Sequence, residues 1–359
     1  MLTREELVCL WFDYNNYSFV KLEKVLKNFN KITALFDKNK VKNAFFDKET
    51  EEIREKLLGL DEEKFRSFVE DDLYKYGLKV ATYLSENYPE KLKVISDPPL
   101  VLYAKGDVSL LSKKSISIVG TRSPSEYGKI VCEKFSKELS QAGLVTISGL
   151  AYGVDTIVAQ STLDVGGKTI AVLAGGLDSI YPASNTNLAK KVEENGLLVS
   201  EMRPGVKPVN YSFIARNRIV SALSLGTLII EAGKRSGTMA TARFAIEQAR
   251  ELFVVPGNIF SKTSEGTNNL IDEMPDTFTI SPDRILSRLK IKKSVAPKSS
   301  VQVGFGDNVI LQALENGEKN FDDLSEISGL SPAELSSELI KMEMFGLIKI
   351  GDDGMYYKK

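Results

Sequence analysis

The stretch Ser115-Ile-Ser-Ile-Val-Gly-Thr-Arg122 is followed by an amphipathic segment at 129–140 and then by Leu144-Val-Thr-Ile-Ser-Gly-Leu-Ala-Tyr-Gly-Val-Asp155. A β-branched run closing on a Gly-containing turn, a helical period, and a second such run and turn make one βαβ unit. The unit recurs. Further runs stand at Thr169-Ile-Ala-Val-Leu173, Leu197-Leu-Val199, Thr227-Leu-Ile-Ile230 and Leu252-Phe-Val-Val255, roughly 25–30 residues apart, with another helical segment at 238–250. Six runs in this rhythm predict an α/β fold, a Rossmann-like doubly wound and mostly parallel sheet.

Outward from the sheet the pattern changes on both sides. Toward the N-terminus, Leu22, Val25, Leu26 and Phe29, and then Ile53, Leu57 and Leu58, recur at helical spacing among Lys and Glu, which predicts a small helical domain over 1–80. The sheet domain is expected over 81–290. The polar stretch Lys290-Ile-Lys-Lys-Ser-Val-Ala-Pro-Lys-Ser-Ser300 reads as a linker over 291–300. Residues 301–359 then give two short helices, a Gly329-Leu-Ser-Pro332 turn, a third helix and a hairpin, the order of a winged helix.

Composition narrows the chemistry sharply. The 359 residues include no histidine, which removes Ser-His-Asp and Cys-His catalysis, HExxH zinc sites and imidazole ligation. Cys9 and Cys132 are the only thiols, too few for a disulfide framework or a zinc cluster, so neither a metal nor a cofactor is expected. No apolar run reaches the roughly 18 residues of a membrane span, and the start lacks an apolar signal region, so no membrane partner and a cytoplasmic location are expected. The net charge of −1 hides an uneven distribution. Residues 203–250 carry eight Arg or Lys against Glu231 and Glu247 alone, whereas 291–359 carry a net −3.

In an open parallel sheet, ligands bind beyond the carboxyl ends of the strands, so the turns after each run are the candidate site. After the first come Gly120, where backbone approaches a ligand, Thr121 with its hydroxyl, and Arg122, a fork for phosphate near a helix N-terminus. Ser148-Gly-Leu-Ala-Tyr-Gly-Val-Asp155 contributes Gly149, with Asp155 expected as a helix N-cap. In Phe213-Ile-Ala-Arg-Asn-Arg218 the two arginines lie two apart on a helix, so one faces phosphate while the other makes a structural ion pair. Glu231-Ala-Gly-Lys-Arg-Ser-Gly-Thr238 is a Gly-containing loop with two cations leading into a helix, either an anion cradle or a solvated basic turn. Gly167-Lys-Thr169 is not the end of a phosphate-binding loop, because it opens a strand instead of a helix, and no GxGxxG follows the first strand.

Taken in order, these motifs resemble the DNA-processing protein A family (DprA, also called Smf). The resemblance runs densely from Tyr88-Pro-Glu-Lys-Leu to Gly106, through Val119-Gly-Thr-Arg122, Ser148 to Asp155, Tyr181-Pro182, Ser200-Glu201, Phe213 with Arg216-Asn-Arg218, Glu231-Ala232 with Ser236-Gly-Thr238, and Val255-Pro-Gly257 with Glu265-Gly-Thr-Asn268. It implies a non-catalytic protein that binds single-stranded DNA as a homodimer, protects it, and loads the RecA recombinase on it during natural transformation. The DNA-binding set it implies is Gly120, Thr121, Arg122, Gly149, Phe213, Arg216, Asn217, Arg218, Lys234, Arg235, Ser236, Gly237 and Thr238. Arginines suit phosphates, and Phe213 offers either a stacking face for a base or a core contact. The chain departs from the family at Gln160, where His is common, and at Ala183, Asn187 and Asn210, where lysines are common.

The competing reading is a nucleotide-binding sensor or a nucleoside-monophosphate phosphoribohydrolase of the Lonely Guy type. Those enzymes place a catalytic Glu a few residues after a PGGxGT loop. Here the first acid after Thr238 is Glu247, more than two helical turns away. The winged helix is expected not to bind DNA, since its last helix carries Glu334, Glu338 and Glu343 against Lys341, with Leu335, Leu339 and Leu347 forming its own core.

Overall fold

The computed structural model describes residues 1–27, 47–291, 309–315, 317–344, 347–351 and 354–358. Four helices lead: α1 (Arg4–Tyr14), α2 (Phe19–Lys27), α3 (Lys48–Leu58) and α4 (Glu62–Lys75). Next come β1 (Lys79–Thr82), α5 (Glu90–Lys93) and β2 (Val101–Gly106). The alternating part follows as β3 (Ser115–Val119), α6 (Glu126–Gln141), β4 (Val145–Ser148), α7 (Val154–Asp164), β5 (Thr169–Leu173), α8 (Thr186–Asn195) and β6 (Leu197–Ser200). It continues as α9 (Asn210–Ala222), β7 (Gly226–Ile229), α10 (Gly237–Glu247), β8 (Glu251–Val254), α11 (Glu265–Glu273) and α12 (Pro282–Arg288).

The sheet has the order β1-β2-β6-β5-β4-β3-β7-β8. β3 to β8 pair in parallel, as the β-branched runs predict, while β2 lies antiparallel to β6 and β1 antiparallel to β2. The sheet is therefore two strands wider than the six runs. β2 sits in the stretch 88–106, outside the six runs, just after Pro98 and Pro99. Pairing on both edges makes it a strand, with β6 from Tyr103 opposite Ser200 to Gly106 opposite Leu197, and with β1 from Val101 opposite Thr82 to Ala104 opposite Lys79. The order in which successive strands are laid down across the sheet reverses beside β3, which has β4 on one side and β7 on the other, so the turns after these three parallel strands open into one crevice.

The contacts do not divide the chain into separate compact units near residue 80. Residues Met1–Ser294 form one compact unit. In α1 the six consecutive residues Leu7 to Phe12 are all buried, which an amphipathic surface helix does not allow. Its Leu10, Trp11 and Phe12 share one core with Leu22, Ile53 and Leu73 of the neighbouring helices and with Tyr103, Leu173 and Leu198 of the sheet. The helical front thus covers a face of the sheet, and its apolar side has no solvent-facing alternative.

The second unit, Val295–Lys359, contains α13 (Val309–Glu315), α14 (Phe321–Ser328), α15 (Pro332–Met344), β9 (Ile348–Ile350) and β10 (Tyr356–Lys358). Leu335 and Leu339 are buried with Ile310, Leu314, Leu324 and Met342 in its own core, with Leu347 packed against them. Asn320 caps α14, accepting from the amide of Asp323, and Gly329 ends it in the left-handed conformation, which a residue without Cβ adopts at little cost. The expected linker lies outside the described residues from 292 onward, as does Phe29.

Candidate nucleic-acid interface

Hydrogen bonds between turns hold the crevice in shape. The Thr121 amide donates to the Glu231 carbonyl at 2.8 Å, and the Val154 amide donates to the Thr121 carbonyl at 3.2 Å. Glu231 is 2% exposed, and its carboxylate accepts from the Ser125 amide at 2.9 Å, the Ser125 hydroxyl at 2.6 Å and the Thr263 hydroxyl at 3.2 Å. This acid ties three loops together and is shielded from any ligand in the crevice. Gly153, at φ 73°, brings the start of α7 so close that a Cβ there would sit 2.5 Å from the Arg122 backbone.

The floor is made by Arg216, and here the expectation from sequence needs correction. Its guanidinium is buried and donates to the Gly149 carbonyl at 2.7 Å and to the Val172 carbonyl, while Nε donates to the Asn217 side chain at 3.1 Å. Burial pulls its proton affinity down from the ordinary guanidinium value and Asp155 pushes it back up. Arg216 therefore works as a brace between α9 and the ends of β4 and β5, not as a free phosphate fork. Gly149 is its complement, since a Cβ at that position would lie 2.2 Å from a guanidinium nitrogen. Asp155 is also reassigned. The cap of α7 is Gly153, and the Asp155 carboxylate instead accepts from the amides of Gly149 and Ala151 at 3.2 and 3.3 Å, closing the turn after β4.

Arg218 is the ion-pair member of the two arginines. It meets Glu201 at 2.6 Å and Asp97 at 3.2 Å, and it does not line the crevice. This pairing accounts for the acid of the Ser200-Glu201 motif. Neither arginine of Arg216-Asn-Arg218 thus points a free fork at a ligand, because the Gly149 and Val172 carbonyls occupy one and the Glu201 and Asp97 carboxylates the other.

What remains is a cavity of about 480 Å³ at the carboxyl ends of β3, β4 and β7. It is lined by Gly120, Thr121 and Arg122, by Phe213, Asn217 and Tyr181, and by Ser236, Gly237 and Thr238, where α10 begins. Arg122 is exposed and makes no ion pair among the described residues; its Cζ lies 5.3 Å from the centre of the Phe213 ring. The Phe213 ring is half-buried and sits 5.5 Å from that of Tyr181, tilted by 57°. The Ser236 hydroxyl is enclosed and has no hydrogen-bond partner among the described residues, so a donor stands free at the helix N-terminus. Lys234 and Arg235 are exposed on the turn before α10, outside the cavity lining.

The structure therefore brings together Gly120, Thr121, Arg122, Gly149, Phe213, Arg216, Asn217 and Ser236 to Thr238. It sets Arg218, Lys234 and Arg235 apart. Tyr152, Tyr181 and Ile214 were absent from the expected set, yet they line the cavity with 47%, 49% and 50% of their surface exposed. Their signal in the sequence was an aromatic or apolar residue inside a polar turn or beside the Arg216-Asn-Arg218 segment. The set offers one unpaired cation, several exposed rings and backbone amides, a combination that holds a phosphodiester and a base without reading base edges. No group of His, Cys, Asp or Glu suited to a metal ion occurs among the described residues.

Comparison with known proteins agrees with this geometry. Residues 79–290 match the family model described as DNA recombination-mediator protein A, and residues 306–354 match the DprA winged helix domain. The DNA processing protein DprA of Bacillus subtilis is 43% identical over 198 residues, 55% of this chain and 67% of that protein. Protein Smf of Escherichia coli is 36% identical over 274 residues, 74% of this chain and 73% of that one. Among solved structures, DprA from Streptococcus pneumoniae superposes with a TM-score of 0.66 at 31% identity, covering 80% of this chain and 98% of its own. DNA processing protein A from Helicobacter pylori, described for its single-stranded DNA binding mode, superposes with a TM-score of 0.54 at 34% identity, covering 60% and 97%. With the family model spanning more than half of its length and the same turns converging on one cavity, the chain belongs to the DprA/Smf family of DNA-processing proteins.

Proposed function

We propose that this chain binds single-stranded DNA at the cavity between β3, β4 and β7, as a homodimer in the cytoplasm. We further propose that it protects the strand and passes it to the RecA recombinase in natural transformation or recombination. The observation that carries the reading is the sequence of Arg122, Phe213 and Tyr181 at the cavity mouth, a cation beside one ring and that ring beside a second. A phosphate meets the cation and an unpaired base meets the rings, and neither contact distinguishes one base from another. Duplex DNA keeps its bases stacked inside and offers the rings nothing. The single-stranded binding described for the H. pylori relative supports the same reading.

The protein acts here as a binder and not as a hydrolase. Asp155 is held by two backbone amides, Glu231 is enclosed by Ser125 and Thr263, and Glu247 is the last residue of α10, far from the end that faces the cavity. A gel-shift series with single-stranded and duplex oligonucleotides of equal length tests the proposal. Preferential retention of the single strand is expected. Equal retention of both, or release of free base from AMP, overturns it.

A further inference from the structure

The segment between β6 and α9 carries a contact that links the helical front to the binding cavity. Arg203 donates to the Asp13 carbonyl at 2.9 Å and to the Asn16 side chain at 3.4 Å, and its guanidinium lies 5.4 Å from the centre of the Tyr14 ring. All three partners belong to the C-terminal end of α1 or the turn that follows it. The same end of α1 is fixed from two other sides, by Tyr103 of β2, whose hydroxyl donates to the Asp13 carboxylate at 2.8 Å, and by Tyr14 donating to Asp72 of α4 at 2.7 Å. Beyond Arg203, the Gly205 amide donates to Asp178 at 2.9 Å and the Gly176 amide donates to the Val206 carbonyl at 2.9 Å. Four residues after Val206 the chain enters α9, whose Asn210, Phe213 and Ile214 line the cavity.

We propose that Arg203 is a positioning residue through which α1 sets the first turn of α9, and with it Phe213, at the mouth of the binding cavity. The helical front is then part of the binding apparatus and not a separate appendage. The inference rests on the single-stranded DNA reading only for the identity of the ligand; the mechanical link stands on the contacts themselves. An unfastened segment samples orientations in which Phe213 is out of place, and apparent affinity falls in proportion to the fraction that is in place.

The latch has a titratable neighbour. Asp13 is faced by Tyr103 from β2, by Arg203 and Glu201 from the segment after β6, and by Tyr14 on its own helix, with Arg218 pairing Glu201 behind them. Burial raises the Asp13 carboxyl to about 6, against the Tyr103 hydrogen bond and, after it, the Arg203 charge, which both draw it back down. Protonation of Asp13 removes that attraction, so the latch loosens as pH falls through about 6. The chain contains no histidine to obscure the effect.

The test uses the full-length chain, with hydrogen–deuterium exchange over 201–213 and anisotropy of a fluorescein-labelled oligothymidylate, both read at pH 5 to 8. In Arg203→Gln, exchange of 201–213 is expected to rise about tenfold while β3 and α10 stay protected, and the oligonucleotide dissociation constant to rise about fivefold. Wild-type affinity is expected to weaken as pH falls through about 6, and the profile to be flat in Arg203→Gln. Asp13→Asn, which keeps the backbone carbonyl, is the second variant, expected to bind at pH 7.5 as the wild type does at low pH. Unchanged exchange, or faster exchange with unchanged affinity, overturns the latch. A wild type that takes up no oligonucleotide overturns the single-stranded DNA reading instead, and the exchange comparison still judges the latch.

Discussion

Replacing Arg122 by alanine separates the phosphate contact from the fold. The guanidinium is exposed, unpaired among the described residues, and 5.3 Å from the Phe213 ring. An exposed cation–π contact is worth about 0.5–1 kcal/mol, and a loss of that size lowers Tm by no more than about 4 °C in a domain of this length. Binding should change more. Each phosphate neutralised on a single strand contributes about −0.7 to the slope of log K against log salt, so the variant should show a slope shallower by about 0.7. The gap between wild type and variant is then widest at low salt and narrows about fivefold over a tenfold rise in salt, equal to about 1 kcal/mol. Anisotropy titrations from about 50 to about 500 mM NaCl, with oligothymidylate and oligoadenylate in parallel, measure this directly. The loss should be the same for both, because a phosphate carries no base information. An unchanged slope, a loss confined to one base, or a fall in Tm beyond about 10 °C would refute the assignment of Arg122 to a phosphate.

Phe213→Ala should lower single-stranded DNA affinity by about 1–3 kcal/mol with little change in unfolding by urea, since the ring is only half-buried; a large stability loss with intact binding would return it to the core. Arg216→Met strands the Gly149 and Val172 carbonyls at roughly 1–3 kcal/mol each, so the urea midpoint should drop, and wild-type stability would show that the brace is dispensable. Asp13→Asn should raise stability at pH 7. A carboxyl moved from 3.8 to about 6 keeps its proton in the folded chain after the unfolded chain has released it, so stability falls as pH rises through that window, by at most about 3 kcal/mol. Thermal unfolding between pH 4 and pH 7 reads this as a decline that Asp13→Asn abolishes. A chain ending at Lys290 retains nearly all of the first compact unit and should keep its single-stranded DNA affinity; a loss above tenfold, about 1.4 kcal/mol, would assign DNA contacts to the acidic winged helix.

The sequence alone determined the six parallel strands, the helices between them and the winged helix, because each rests on a local period that any short window displays. It also determined which turns line the cavity, since the carboxyl ends of parallel strands share one side of the sheet. Gly120, Thr121, Arg122 and the start of α10 follow from that rule alone. Tertiary structure decided the rest. β2 became a strand through pairing with β1 and β6, and α1 became part of the sheet's core through burial on every side, both of which depend on residues far away in the chain. The division of labour within Arg216-Asn-Arg218 was likewise out of reach. A spacing of two says that the arginines diverge on a helix, but how deeply that helix lies against the sheet settles what each one meets. Here the packing brought Gly149 and Val172 to Arg216 and Glu201 to Arg218, and left the exposed cation to Arg122. Charge is written in the sequence, whereas solvation, which decides whether a charge is free to meet a ligand, is a property of the packed chain.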